Sequence, residues 1–208
     1  MKRALILVDI QNDFCPGGTL AVPRGDEVVP VANRLAPRFP VVVATQDWHP
    51  VHHHSFAAEH PGRAQFEVGE VGGLPQVLWP VHCVQGTPGA AFHRDLDMSR
   101  VTRVFPKGTD PSLDSYSGFF DNGKRKATGL GDYLRAEGVD QVFVMGLATD
   151  YCVRATALDA RALGFGVTLV ADGCRAVEIA PGDAARALEE MRAAGVRVAE
   201  SGDLDRLF

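Results

Sequence analysis

The amino-acid sequence predicts an α/β fold, in which a mainly parallel sheet carries helices on both faces. Three observations predict it. Apolar runs of strand length alternate with segments of helical periodicity along most of the chain. Several of these runs are almost continuously apolar, which is typical of strands buried on both faces of a sheet. Most of the helical segments are followed by a glycine, the residue that most often terminates a helix.

Six segments are predicted to be strands and four to be helices. The strands are residues 3–10, 40–45, 101–107, 140–147, 166–172 and 196–201. The helices are residues 26–38, 128–137, 151–163 and 182–194. Most of residues 47–100, which are rich in histidine, proline and glycine, is predicted to lack regular structure. Because the sequence shows no internal repeat or linker, we expect one domain over residues 1–208.

Composition and charge exclude several classes of protein. Of the 208 residues, 46% are apolar and 23% charged, and the formal net charge is -5. Only residues 124–126 are locally basic, whereas nucleic-acid binding requires a basic stripe. No apolar run approaches the ~20 residues that cross a bilayer, and the N-terminal run is too short for a signal sequence. We therefore expect a cytoplasmic protein without nucleic-acid or membrane partners. Its four cysteines should be free thiols.

Four chemically notable residues lie at or just past the carboxyl ends of predicted strands. These residues are Asp9, Asp47, Lys107 and Cys152. The carboxyl ends of parallel strands share one edge of a sheet, and ligands of open α/β sheets bind at that edge. We therefore expect the four side chains to meet, although they are far apart in the sequence.

Cys152 has the properties of a nucleophile. It lies in the first turn of the predicted helix 151–163, where partial positive charge favours thiolate over thiol. Asp9 is suited to accept the thiol proton and return it to a leaving amine, while the Lys107 ammonium stabilises the thiolate. Each residue also has an ordinary interpretation: a packed cysteine, an aspartate that caps a turn and a solvated lysine. Their coincidence at one sheet edge favours catalysis.

A second cluster has the composition of a metal site. Asp47 and His49 are two residues apart at the end of a strand, so their side chains face the same side. His82 follows in a loop that contains proline. One carboxylate and two imidazoles suit Zn, Fe or Mn in a site with open positions. We interpret residues 52–54, three histidines, as a polar surface turn with one member facing inward, and Cys83 as a packed residue.

Two aromatic residues, Phe14 and Trp79, lie close to these clusters in the sequence. Each is compatible with an ordinary core position. Each is equally compatible with the wall of a pocket that encloses a flat ring, because such a ring needs an apolar surface on both faces.

Motifs spread over the whole chain resemble those of the nicotinamidases (pyrazinamidases), within the isochorismatase-like cysteine hydrolases. The motifs are VDIQNDFCPGG (8–18), QDWHPVHHHSF (46–56), LWPVHCVQGTPGA (78–90), FPKG (105–108), DSYSGF (114–119) and GLATDYCV (146–153). The DWH and WPVHC pair is the most specific part, because it distinguishes the metal-containing nicotinamidases from other members. The resemblance implies a six-stranded sheet in three layers and assembly as a homo-oligomer.

The resemblance also implies a role for each candidate residue. The implied catalytic triad is Asp9, Lys107 and Cys152. The implied ligands of a divalent metal, which binds the pyridine nitrogen of nicotinamide, are Asp47, His49 and His82, with His53 as a further candidate. The implied substrate contacts are Phe14, Trp79, Leu147 and Ala148. The backbone N–H groups of Ala148 and Cys152 are implied to form an oxyanion hole, with a cis peptide bond between Leu147 and Ala148. Tyr151 is given no role.

The expected reaction is hydrolysis of nicotinamide to nicotinate and ammonia through a thioester on Cys152. Two alternatives remain open. A related hydrolase would act on another small amide, a carbamoyl compound or isochorismate, and its activity would survive removal of the metal. A non-enzymatic protein that binds a metal or a small molecule would leave Cys152 unreactive towards iodoacetamide at neutral pH.

Overall fold

The structure is a computed structural model and describes residues 1–206. That range contains eight β-strands and four α-helices. The strands are Lys2–Val8 (β1), Val41–Asp47 (β2), Val68–Val71 (β3), Leu74–Val77 (β4), Arg103–Lys107 (β5), Val139–Leu147 (β6), Gly166–Arg175 (β7) and Arg197–Ala199 (β8). The helices are Val28–Leu35 (α1), Leu130–Ala136 (α2), Arg154–Ala162 (α3) and Asp183–Ala193 (α4). None of the helices described is both long and apolar enough to pass through a membrane.

Six of the strands form one sheet in the order β5-β2-β1-β6-β7-β8, and every neighbouring pair is parallel. The chain leaves the centre of this sheet in two directions, from β1 towards β2 and from β6 towards β7. Because crossovers between parallel strands are right-handed, the two directions place helices on opposite faces. The predicted three-layer α/β architecture is confirmed. The strand order reverses between β1 and β6, where ligands of such sheets bind.

The two central strands form the core because their sequences are apolar on both faces. Residues 4–8 of β1 and residues 142–147 of β6 are all buried. On one face of the sheet, α1 packs against β6 and β7, and its apolar stripe includes the fully buried Val28, Ala32 and Leu35. Each fully buried Val, Leu or Ile side chain contributes about 1.5–3 kcal/mol. This core fixes the positions of the strand ends that carry the polar residues.

The segment 47–100 contains more regular structure than predicted. Strands β3 and β4 pair in antiparallel fashion and form a separate two-stranded hairpin. Gly72 and Gly73 connect them with φ values of 62° and 81°, and a tight hairpin turn requires such left-handed residues. Most of the segment has neither helix nor strand, as predicted. The hairpin was not predicted, because each strand has only four residues and Pro75 interrupts the usual strand pattern.

The element that carries Cys152 also differs from the prediction. The sequence favoured a helix over residues 151–163, but α3 begins only at Arg154. Residues Thr149–Val153 instead form a π-helical turn. Such turns are frequent at functional sites. Cys152 therefore lies in the transition between β6 and α3, ahead of the first turn of α3.

Candidate active site

The parallel strands bring the candidate catalytic residues together. Asp9 directly follows β1, Lys107 is the last residue of β5, and Cys152 lies in the turn after β6. The end of β2 carries Asp47, which is paired in register with Lys107. All four residues are buried. The structure thus joins four side chains whose positions at strand ends predicted that they would meet.

Lys107 is the centre of this cluster. Its ammonium nitrogen Nζ lies 2.9 Å from Asp9 Oδ2, 2.8 Å from Asp47 Oδ1 and 3.4 Å from Cys152 Sγ. Nζ also donates a hydrogen bond of 2.9 Å to the backbone oxygen of Ser115. Burial disfavours the charged form, but Asp47, Asp9 and Cys152 raise the pKa of Lys107 well above its ordinary value. Lys107 is therefore an ammonium group inside the protein.

The two carboxylate oxygens of Asp9 differ: one is fixed by a hydrogen bond, and the other is available for proton transfer. Its Oδ1 accepts a hydrogen bond of 2.6 Å from Thr45 Oγ1. Apart from the ion pair with Lys107, Oδ2 has no hydrogen-bond partner among the described residues. Burial raises the pKa of Asp9, and the opposing Lys107 charge does not cancel this effect. The backbone of Asp9 is left-handed, with φ 49°, which is uncommon outside glycine. Such a carboxyl group is suited to accept and return a proton.

Cys152 is a thiol in this environment. Burial raises its pKa well above the ordinary value; the Lys107 charge lowers it, but the carboxylates of Asp9 and Asp47 raise it further. This direction is opposite to the one expected for the start of a helix, because burial has the largest effect on the thiol and Cys152 lies ahead of the first turn of α3. The thiol proton must therefore be removed during the reaction, so the site requires a base close to the sulfur.

The three candidate metal ligands converge on the other side of Lys107. The Nε2 atoms of His49 and His82 lie 3.2 Å and 3.5 Å from Asp47 Oδ2. Nδ1 of His49 lies 2.9 Å from the backbone oxygen of Gly108, and Nδ1 of His82 lies 2.7 Å from that of Pro80. A carbonyl oxygen can only accept, so we assign the proton of each neutral ring to Nδ1, which leaves a lone pair on Nε2. Metal-binding histidines are oriented in this way.

The electrostatics of this trio of Asp47, His49 and His82 favour a bound cation. Burial disfavours the ionised carboxylate, but His49 and Lys107 hold the pKa of Asp47 well below its usual value. Conversely, Asp47 outweighs burial and raises the pKa of His49. The buried Nε2 of His49 makes no hydrogen bond within the described part of the chain. The donor set therefore fits a divalent metal of the Zn, Fe or Mn type.

His53 is buried beside the trio, and its hydrogen bonds differ from those of His49. The two ring centroids are 4.2 Å apart. His53 Nδ1 lies 2.7 Å from Ser55 Oγ and accepts the Ser55 backbone N–H at 3.2 Å. Burial and a protonated His49 both lower the pKa of His53, to about 4, so its ring is neutral. Because Nδ1 accepts from Ser55, we assign the ring proton to Nε2, which makes no hydrogen bond with the described residues. The ligand atoms of His49, His53 and Asp114 form a second group within 4.8 Å of one another.

A pocket with a volume of about 330 Å³ lies between the nucleophile and the metal trio. Its lining includes Asp47, His82 and Cys152. The aromatic residues Phe14 and Trp79 also line it, as the sequence predicted. An apolar pocket with a few convergent polar groups suits a small flat molecule.

The segment predicted to form an oxyanion hole adjoins this pocket. The Leu147–Ala148 peptide bond is cis, as expected. Ala148 lines the pocket together with Cys152. Leu147 does not line it, in contrast to the expected substrate contact, because its fully buried side chain points into the core towards Gly25.

Two tyrosines without a predicted role line the pocket as well. The Tyr151 ring stands edge-on to Trp79, with centroids 4.8 Å apart. The Tyr116 hydroxyl oxygen accepts hydrogen bonds from Trp79 Nε1 at 3.2 Å and from Gln76 Nε2 at 2.8 Å. Two features of the sequence could have indicated that these tyrosines line the pocket: Tyr116 lies inside the DSYSGF motif, and Tyr151 directly precedes the nucleophile.

Comparison with known proteins agrees with this geometry. The family model of the isochorismatase domain matches residues 3–203. The chain belongs to the isochorismatase family. One member, the nicotinamidase of Escherichia coli (strain K12), is 54% identical over 197 residues, which cover 93% of this chain and 92% of the relative.

Two solved structures of isochorismatase-family enzymes are also similar to this chain. A nicotinamidase/pyrazinamidase of Acinetobacter baumanii has a TM-score of 0.95 at 45% identity, and the match covers 98% of both chains. A pyrazinamidase of Pyrococcus horikoshii in complex with zinc has a TM-score of 0.78 at 42% identity, covering 96% of this chain and 99% of that one. The isochorismatase fold therefore extends over nearly the whole chain.

Proposed function

We propose that the protein hydrolyses nicotinamide to nicotinate and ammonia. The observation that carries this proposal is one pocket lined by Cys152 and by two members of the metal trio, Asp47 and His82. A pyridine carboxamide has the two groups that such a pocket needs: a carbonyl carbon for the sulfur and a ring nitrogen for the metal. The high identity to relatives named nicotinamidases supports the same substrate.

The first half of the reaction forms a thioester. The Cys152 thiol gives its proton to Asp9 Oδ2, the oxygen whose one partner among the described residues is the Lys107 ammonium. The sulfur attacks the carboxamide carbon, while Lys107, with Nζ 3.4 Å from Sγ, stabilises the negative charge. As the C–N bond breaks, Asp9 returns the proton to the leaving nitrogen, and ammonia departs.

The second half hydrolyses the thioester. Asp9 takes a proton from a water molecule, whose oxygen attacks the thioester carbon. The C–S bond breaks, nicotinate leaves, and the proton returns to the Cys152 sulfur. In both halves the backbone N–H groups of Ala148 and Cys152 are proposed to donate to the oxyanion. Loss of one such donor typically lowers kcat by about 100- to 1,000-fold.

Asp47, His49 and His82 would hold a divalent metal beside this machinery. When bound, the metal supplies a Lewis-acidic position for the ring nitrogen and so orients the substrate. The zinc complex of the P. horikoshii relative supports a divalent ion. His53 is left outside the proposed ligand set, because its Nδ1 accepts from Ser55 and its Nε2 carries the proton.

Removal of the metal is expected to lower ammonia release from nicotinamide by at least about 10-fold, because the ring nitrogen loses its partner. The measurement is the rate of ammonia release before chelation, after chelation and after Zn, Fe or Mn is added back. A related hydrolase for another small amide would turn over nicotinamide poorly and keep its rate on other amides after chelation.

Replacement of His82 by alanine is expected to lower the metal content and raise KM for nicotinamide by about 10-fold or more, since one of three ligands is lost. Metal analysis of the purified protein and initial rates measure both effects. His54→Ala is the matched control, because His54 is an exposed histidine outside both candidate metal groups. Unchanged metal content in His82→Ala would contradict the ligand assignment.

A further inference from the structure

An apolar groove continues from the ring pocket to the protein surface. Leu20 and Val177 line both the pocket and the groove. Phe66 and Ile179 also line the groove, with 41% and 38% of their surfaces exposed. Large apolar side chains in contact with solvent beside a binding pocket are typical of a site that receives a ligand.

Two unusual backbone conformations hold the lining of the groove. Phe66 has a φ of 70° and places its ring edge-on to Trp79, with centroids 6.1 Å apart. Between the lining residues Val177 and Ile179, Glu178 has a φ of 53°. The backbone N–H groups of Glu178 and Val177 donate hydrogen bonds to the Asp150 carboxylate, at 2.8 Å and 3.1 Å. Left-handed residues other than glycine persist where surrounding contacts enforce them, and they cluster at binding sites.

The groove lies at the end of the pocket that the reaction leaves unused. Three residues that line the pocket, Asp47, His82 and Cys152, do not line the groove. If the ring nitrogen N1 faces the metal and the carboxamide on C3 faces the sulfur, both groups flank C2. The atom diametrically opposite to C2 is C5. The free edge of the ring, centred on C5, is then the edge left to face the end of the pocket that continues into the groove, where Leu20 and Val177 line both.

We propose that this groove is an accessory subsite for an uncharged apolar substituent at ring position 5 of a nicotinamide substrate. The proposal rests on the function proposed above. Within the described chain no charged side chain lines the groove, and most of its surface comes from aliphatic, proline and phenylalanine side chains. An alkyl group attached to C5 would contact these side chains instead of water, while the carboxamide stays in its reactive position beside Cys152.

The test compares kcat/KM for nicotinamide, 5-methylnicotinamide, 5-butylnicotinamide and 6-butylnicotinamide, with the metal-loaded protein. Each methylene group partly removed from water should improve binding about twofold, so 5-butylnicotinamide is expected to have a KM about 5- to 10-fold below that of nicotinamide. The 6-butyl compound carries its chain next to the ring nitrogen and is expected to react at least about 10-fold more slowly.

Ile179→Ser is expected to raise KM for 5-butylnicotinamide about threefold and to leave that for nicotinamide within about twofold. Val68→Ser is the matched control, because Val68 is a 62% exposed valine outside the groove lining. It should change neither value.

Three results would overturn the proposal while nicotinamide itself is still hydrolysed. The first is a KM for 5-butylnicotinamide no lower than that of nicotinamide. The second is faster reaction of the 6-butyl compound. The third is a change of molar mass in light scattering for Ile179→Ser with unchanged 5-butyl kinetics, since the groove would then be an interface between copies. Loss of turnover for every compound, nicotinamide included, would instead contradict the proposed function.

Discussion

Replacement of Cys152 by alanine is expected to lower ammonia release from nicotinamide by at least about 10⁴-fold. The reason is that the proton transfers of Asp9 and the charge of Lys107 serve a thioester that forms only when the Cys152 sulfur attacks, so that without the nucleophile neither half of the reaction begins. The measurement is single-turnover and steady-state ammonia release from the purified variant. The metal content should remain that of the unchanged protein, because Cys152 is not a member of the metal trio.

Cys174→Ala is the matched control for this variant. Cys174 is also a buried free cysteine, on β7, and it does not line the pocket. Its removal should leave kcat within about twofold. Appreciable turnover by Cys152→Ala, above that of contaminating enzyme, would exclude the thioester mechanism.

Replacement of Lys107 by methionine is expected to impair both catalysis and folding. The side chain is fully buried between Asp9 and Asp47, and its loss would leave Asp9 buried with only the hydrogen bond from Thr45 and would remove the ion pair of Asp47 Oδ1. Breaking a buried ion pair on one side typically costs about 3–5 kcal/mol of unfolding free energy. We also expect kcat to fall by about 10³-fold or more, since the thiolate loses its only cation within contact among the described residues.

Urea unfolding and ammonia release measure the two effects of Lys107→Met separately. The control is Lys2→Met, which removes an ion pair of 3.1 Å to Glu137 whose two side chains are each 39% exposed. Exposed pairs contribute about 1 kcal/mol or less, so this variant should unfold almost like the unchanged protein. Equal stability of Lys107→Met and Lys2→Met would contradict the role of Lys107 as a buried ammonium.

The part of the site that lies on strand ends could be predicted from the sequence. A parallel sheet places the carboxyl ends of its strands along one edge, so the positions of Asp9, Lys107 and Cys152 in the strand pattern sufficed to bring them together. The same holds for Asp47 and His49, whose spacing alone places them on one side. Regular geometry made these predictions possible.

The part of the site that depends on solvation and on loops could not be predicted. Local sequence suggested an acidic thiol at Cys152, but the pKa of a buried group depends on solvation and on distant charges, which only the folded chain reveals. Tyr151 enters the pocket from a π-helical turn that no periodicity signals. The hairpin β3–β4 was missed because its strands are too short to show alternation.

The position of Lys107 has a consequence for how the chain folds. The ammonium lies inside the protein and is neutralised only when β1, β2 and β5 are aligned so that Asp9 and Asp47 face it. A shift of β5 by a single residue would leave the charge buried and unpaired, at a cost of several kcal/mol. The ion pairs that place Lys107 beside the reacting groups therefore also favour the correct strand alignment. A sheet with misaligned strands would be inactive, and it would also be less stable.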